Sequence, residues 1–128
     1  VRTVLDASAL LAGLLKEPGA ERVAAALDAS VMSAVNLAEV AAGLVRNGAG
    51  EREVRSALRA VAMTIVPADE ELAIAAALLR SVTDPSGLSL GDRFCLALAR
   101  RLGAPALTAD RTWTQVADEI GVEVELIR

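Results

Sequence analysis

The chain has 128 residues, is 54% hydrophobic but only 2% aromatic, carries a net charge of −4, and contains one Cys and no His. That is enough chain for one domain with a core of Ala, Leu and Val. It excludes an internal disulfide, a CxxC zinc site, His-ligated zinc, Ser-His-Asp or Cys-His catalysis, and any pair of histidines acting as acid and base. A mean hydropathy of +0.45 predicts an apolar interface in addition to the core. No apolar run approaches the roughly 18 residues of a membrane span, no signal-peptide pattern opens the sequence, and a lone Cys fits a reducing cytoplasm. The acidic balance gives nucleic acid no overall attraction, so such a partner would need local basic patches or bound cations.

In chain order, Val1 to Leu5 is a β-branched apolar strand that ends at Asp6. Asp6-Ala7-Ser8 leads into a helix through Ala12, which makes Asp6 an N-cap or a ligand-bearing acid at a strand's carboxyl end. Pro18-Gly19 breaks that helix, and Ala20 to Asp28 forms another. Val31 to Ser33 is a second strand. Ala34 to Arg46 is a helix apolar almost all round, expected to be buried on most sides, with Asn36, Glu39, Gly43 and Arg46 along one narrow stripe. Glu39 is either a solvated residue of that stripe or a site carboxylate.

After the break at residues 47–50, Glu51 to Ala62 forms a helix with Arg52, Arg55 and Arg59 along its outer side. That strip reads as a charged surface with an i,i+4 Glu51–Arg55 pair, or as a face for RNA. Thr64 to Val66 is a third strand, and Asp69 to Ser81 a helix with acids in its first turn, where they suit the dipole. Asp84 belongs to a turn. The next helix opens on Asp92, with Ser89-x-x-Asp92 as an alternative capping box. Phe94, Leu98 and Leu102 recur at helical spacing, and Gly103 with Pro105 ends the helix. Ala106 to Thr108 is a buried parallel strand followed by Asp110. Thr112-x-x-Gln115 reads as a capping box for a short helix, and Val122 to Leu126 as an alternating edge strand.

Strands alternating with helices define one α/β domain with a mostly parallel sheet. Asp6, Glu39, Asp92 and Asp110 each have a local explanation, yet all four fall where the carboxyl rim of such a sheet would gather them. With no His available, a metal held there would be bound by oxygen, which favours Mg²⁺ or Mn²⁺.

Four segments carry a more specific signal: V-L-D-A-S-A-L-L-A around Asp6, N-L-A-E-V around Glu39, L-S-L-G-D-R-F-C-L-A-L-A around Asp92, and L-T-A-D-R-T-W around Asp110. In this order and at these separations the chain resembles PIN-domain proteins of the VapC toxin type over nearly its full length. The resemblance implies a three-layer α/β/α sandwich with strand order 3-2-1-4-5 and acids converging at the carboxyl edge. It implies an Mg²⁺- or Mn²⁺-dependent endoribonuclease, the toxin of a toxin–antitoxin pair. Asp6, Asp92 and Asp110 would be metal ligands, Glu39 a ligand or water-orienting base, and Ser8 and Thr108 supporting hydrogen-bonders. Asp118 would be an extra acid near the site. The implied partners are RNA, a homodimeric second copy, and an antitoxin that lays an extended or helical segment in the groove with a basic side chain among the acids.

Two rival readings use the same class of fold. An aspartyl-phosphate transfer domain needs a site lysine, for which only Lys16 is available. A non-catalytic interaction module would be marked by lost site acids, and none of the four is missing.

Overall fold

The computed structural model describes residues 2–128, so Val1 of the expected first strand lies outside the described residues. The strands are β1 (Thr3–Leu5), β2 (Ser30–Ser33), β3 (Thr64–Val66), β4 (Ala106–Thr108) and β5 (Val124–Leu126). They form one sheet in the order β3-β2-β1-β4-β5, with every neighbouring pair parallel. This is the expected order 3-2-1-4-5.

Strand alternation sorts the core into two layers. Leu5, Met32 and Leu107 point to one face, where α1 (Ala7–Leu14), α2 (Ala20–Ala26), α3 (Ala34–Arg46) and α4 (Glu51–Ala60) cover them. Val4, Val31 and Ala106, one residue earlier on each strand, point to the other face. There they meet α5 (Glu70–Leu78), α7 (Leu90–Leu102) and α8 (Ala117–Ile120). The short α6 (Arg80–Thr83) follows α5. The result is an α/β/α sandwich, and each Leu, Ile or Val side chain withdrawn from water contributes about 1.5–3 kcal/mol. The sole tryptophan, Trp113, is fully buried on the α7 side.

The most enclosed helix is α7: seven of its thirteen residues are buried, from Gly91 to Ala99. Ser89 caps it, accepting from the Asp92 backbone N–H, while the Asp92 carboxylate accepts from the Ser89 N–H. The helix therefore starts before Asp92, and the capping box is real. Gly103, at φ 60°, ends it in a left-handed turn that costs glycine little.

Three local expectations are corrected. Helix α3 is not buried on most sides: the Asn36–Val40–Gly43–Leu44 face is buried and Val35 and Leu37 pack at its margins, but Ala38, Glu39, Ala42, Val45 and Arg46 are exposed. The helix expected over 69–81 breaks at Leu79 into α5 and α6. Thr112 is not an N-cap; Asp110 takes that role two residues earlier, accepting from the Thr112 N–H at 2.9 Å and opening the 3₁₀ turn Arg111–Gln115.

The topology fixes where a site can form. From the adjacent central strands β1 and β4 the chain moves outward in opposite directions, to β2 and to β5. A crevice opens beyond the carboxyl ends of such a pair. Asp6 directly follows β1, and Asp110 lies two residues beyond β4.

Candidate active site

Asp6 leaves β1 as the N-cap of α1, accepting from the Ala9 backbone N–H at 2.8 Å. Two hydroxyls complete its shell. Thr108 Oγ1 donates to Oδ2 at 2.6 Å, and Ser8 Oγ lies 2.8 and 2.9 Å from the two carboxylate oxygens. Those hydroxyls also accept from the chain after β4: Ser8 from the Ala109 N–H and Thr108 from the Asp110 N–H, each at 3.0 Å. Ser8 and Thr108 thus tie the loop bearing Asp110 to the strand bearing Asp6.

Asp6 is only 4% exposed. Burial pushes its carboxyl up to about 6; the bonds from Thr108, Ala9 and Ser8 oppose the rise, and the Asp92 charge adds to it. Asp92 is also raised, first by burial, against the pull of its Ser89 bonds and with a further push from Asp110. Below them the buried Cys95 thiol is driven well above its ordinary value by burial and then by Asp6, Asp92 and Glu39. The fields of these acids overlap in one region.

Glu39, Asp92 and Asp110 share one bonding pattern. Glu39 Oε1 accepts from Asn36 Nδ2 at 2.9 Å, Asp92 Oδ2 from the Ser89 N–H at 2.9 Å, and Asp110 Oδ1 from the N–H and hydroxyl of Thr112. Their second oxygens have no donor among the described residues. One oxygen anchors each side chain and the other stays available. Asp6 differs, with both of its oxygens engaged.

Asp6, Ser8, Glu39, Asp92 and Asp110 line a cavity of about 370 Å³ together with Ala7, Leu11, Ala42 and Arg46. Larger grooves run along α5 and α7 and between α3 and α4, at about 630 and 640 Å³, but neither gathers the four acids. In kind and number the oxygen donors fit a hard divalent cation. In spacing, no three acidic or thiol side chains among the described residues stand close enough to form a ready cage.

The other sequence candidates lie elsewhere. Thr108 is fully buried beneath the cavity. Arg55 and Arg59 flank a separate groove with Leu58, Met63 and Ile65, Arg55 pairs with Glu51 at 3.0 Å, and Arg52 is exposed outside the acidic cavity. Asp118 is exposed on α8, outside the cavity lining. Lys16, exposed at φ 59° in the turn after α1, is likewise outside it, where a phosphoaspartate site would need it inside. Arg46 is the one cationic side chain in the cavity lining among the described residues, a role the sequence reading did not assign. The signal was its position seven residues after Glu39, on the same helix face.

A family model described as the PIN domain matches residues 3–119. The chain belongs to the PIN-domain family. Solved structures resemble this PIN domain over 88–100% of its length. The DNA-bound VapBC of Salmonella typhimurium superposes with TM-score 0.75 at 18% identity, covering 100% of this chain and 99% of that one. FitAcB of Neisseria gonorrhoeae gives 0.67 at 27%, covering 95% of each. The sarcin–ricin-loop-cleaving toxin VapC20 of Mycobacterium tuberculosis gives 0.73 at 20%, covering 88% and 93%. No curated protein matches the chain with significance. Among the described residues, no helix of this PIN domain is long and apolar enough to cross a membrane.

Proposed function

We propose that this PIN domain is a divalent-metal-dependent endoribonuclease and the toxin of a VapBC-type toxin–antitoxin pair. The observation that carries the reading is the cavity at the β1/β4 switch point. Four carboxylates from four separate segments line it, three of them with an oxygen to spare. Asp6, Asp92 and Asp110 would hold Mg²⁺ or Mn²⁺, directly or through water, and Glu39 would join them or orient the water. The chemistry such a cation supplies when bound is acidification of a water and neutralisation of phosphate charge. RNA is a polyanion facing a ring of acids, so Arg46 at the rim is suited to meet a phosphate flanking the cut. Ser8 and Thr108 keep Asp6 and the Asp110 loop in register.

The same reading assigns the partners. A cognate antitoxin would lay an extended or helical segment in the groove and set a basic side chain among the acids. A second copy of the chain would cover apolar side chains that the fold leaves outside, chiefly Val45 on α3 and Ile74 and Leu78 on α5, which are 58%, 49% and 74% exposed. The test is cleavage of a mixed RNA pool by purified protein in Mg²⁺, in EDTA, and by Asp110→Asn in Mg²⁺. Cleavage by the wild type in Mg²⁺ alone supports the proposal; cleavage that persists in EDTA or in the mutant overturns it.

A further inference from the structure

Glu39 sits on an exposed helix face, where a free glutamate samples several rotamers; fixing one costs on the order of 1–2 kcal/mol of side-chain entropy. A carboxylate that must act at one point needs something to hold it. The side chain of Asn36, one turn earlier on α3 and only 1% exposed, is fully committed to that task. Its Oδ1 accepts from Ser33 Oγ at 2.7 Å, which fixes the orientation of the amide. Both Nδ2 hydrogens are then used, one on Glu39 Oε1 at 2.9 Å and one on the Gly91 carbonyl of α7 at 3.0 Å.

Gly91 supplies the seat. A Cβ built there would lie 2.3 to 2.6 Å from the Glu39 carboxylate atoms, so the acid rests on bare backbone at the start of α7, one residue before Asp92. We infer that Asn36 and Gly91 form a cradle for Glu39: Asn36 is the positioning residue that sets its carboxylate against Asp92, and Gly91 the gap that admits it. The inference deepens the nuclease reading and rests on it. Two acids from different helices are held in register through a single buried amide. Groups of this kind behind a site carboxylate typically govern 10–100-fold in activity or metal affinity.

Two variants disturb the cradle in different ways. Asn36→Ala removes the tether. Gly91→Ala leaves the tether but fills the seat, and what yields is the mobile end of Glu39 rather than the α7 backbone. Asn47→Ala is the control, since it deletes an amide that donates to the Gly43 carbonyl at 2.9 Å on the same helix and does not line the cavity. Each variant is made in the wild-type and Glu39→Ala backgrounds. Steady-state RNA cleavage and calorimetric Mn²⁺ titration are both measured.

In the wild-type background Asn36→Ala and Gly91→Ala lower kcat roughly 10–100-fold with KM little changed, Asn36→Ala weakens Mn²⁺ binding about tenfold, and Asn47→Ala changes neither. In the Glu39→Ala background neither substitution adds a further loss, because the group it positions is gone. Losses that multiply in that background, or wild-type rate and Mn²⁺ affinity in both variants, overturn the cradle. Should the wild type not cleave RNA, the nuclease reading falls alone and the Mn²⁺ titration decides: equal affinities for the wild type, Asn36→Ala and Glu39→Ala, or no Mn²⁺ binding at all, overturn the inference.

Discussion

Replacing Asp6 by Asn tests how far the site is built against the stability of its own fold. The carboxyl titrates near 6 in the folded protein against an ordinary value of 3.8, because burial disfavours its charge more than three donors favour it. The folded state therefore keeps this proton at pH values where the unfolded chain has lost it. The contribution of Asp6 to stability falls as pH rises through about 4 to 6 and is level above about 7. A shift of about two units corresponds to about 3 kcal/mol, absent below pH 4 and complete by pH 7. Asparagine removes the charge but keeps most of the bonding. Its Oδ1 still accepts from the Ala9 N–H as an N-cap, and the Ser8 and Thr108 hydroxyls can turn to accept from the new amide. Allowing for imperfect reorientation, Asp6→Asn should be about 2–3 kcal/mol more stable than wild type at pH 7.5 in EDTA, roughly 6–12 °C in Tm, and near pH 4 equal to it or up to about 1 kcal/mol less stable. Urea unfolding followed by the fluorescence of the buried Trp113 reads both values. A mutant as stable as wild type or less so at pH 7.5, with a gap that does not change with pH, would rule out a large cost of burying this charge. It would mean that the bonds to Asp6, not its buried charge, dominate.

Asp92→Asn should leave the metal-free protein at least as stable as wild type, because the amide oxygen can still accept from the Ser89 N–H, and should flatten the Mg²⁺ response. In the wild type, free Mg²⁺ at about ten times its Kd adds roughly 1.4 kcal/mol, or about 5 °C; a mutant melt that rises equally with Mg²⁺ would limit Asp92 to capping. Arg46→Ala should raise KM for RNA several-fold with kcat nearly unchanged, and steady-state kinetics at two salt concentrations would show the lost phosphate contact as a shallower salt dependence. Light scattering at tens of micromolar, about the range in which weak dimers form, should show a dimer that Leu78→Arg converts to monomer. A monomer in the wild type would remove the apolar-surface argument.

The fold was legible in the sequence because its strands are short apolar runs punctuated by Asp6, Ser33, Pro67 and Asp110, and its helices carry clear stops such as Gly103. The layers follow from alternation alone: Val4 and Leu5, Val31 and Met32, Ala106 and Leu107 divide between the two cores. Asp6 and Asp110 were legible because chain connectivity brings strand ends together whatever the side-chain packing, whereas Glu39 and Asp92 lie on helices and were marked out by the family resemblance. What the sequence concealed depends on contacts between distant segments. Nothing local says that Asn36 reaches a carbonyl 55 residues away, or that Gly91 is small because Glu39 lies on it. Arg46 showed its helical phase but not the depth of the crevice beside it. Thr112 was misread as a cap because Asp110, two residues earlier, caps the turn by accepting from Thr112's own N–H. The apolar composition of α3 concealed an exposed face, since its alanines look buried whichever way they point.

The proposed nuclease would cut RNA with water delivered at the four-acid cavity. With no His in the chain to serve as the usual acid–base pair, attack by the 2′-hydroxyl of the substrate lacks its machinery, and hydrolysis should leave a 5′-phosphate and a 3′-hydroxyl. Mass spectrometry of the ends formed in ¹⁸O-enriched water with Mg²⁺ measures this directly. Hydrolysis at this cavity places one ¹⁸O on the new 5′-phosphate and gives no such product from Asp6→Asn. Ends bearing a 2′,3′-cyclic phosphate, or labelled 5′-phosphate still formed by that mutant, would contradict it.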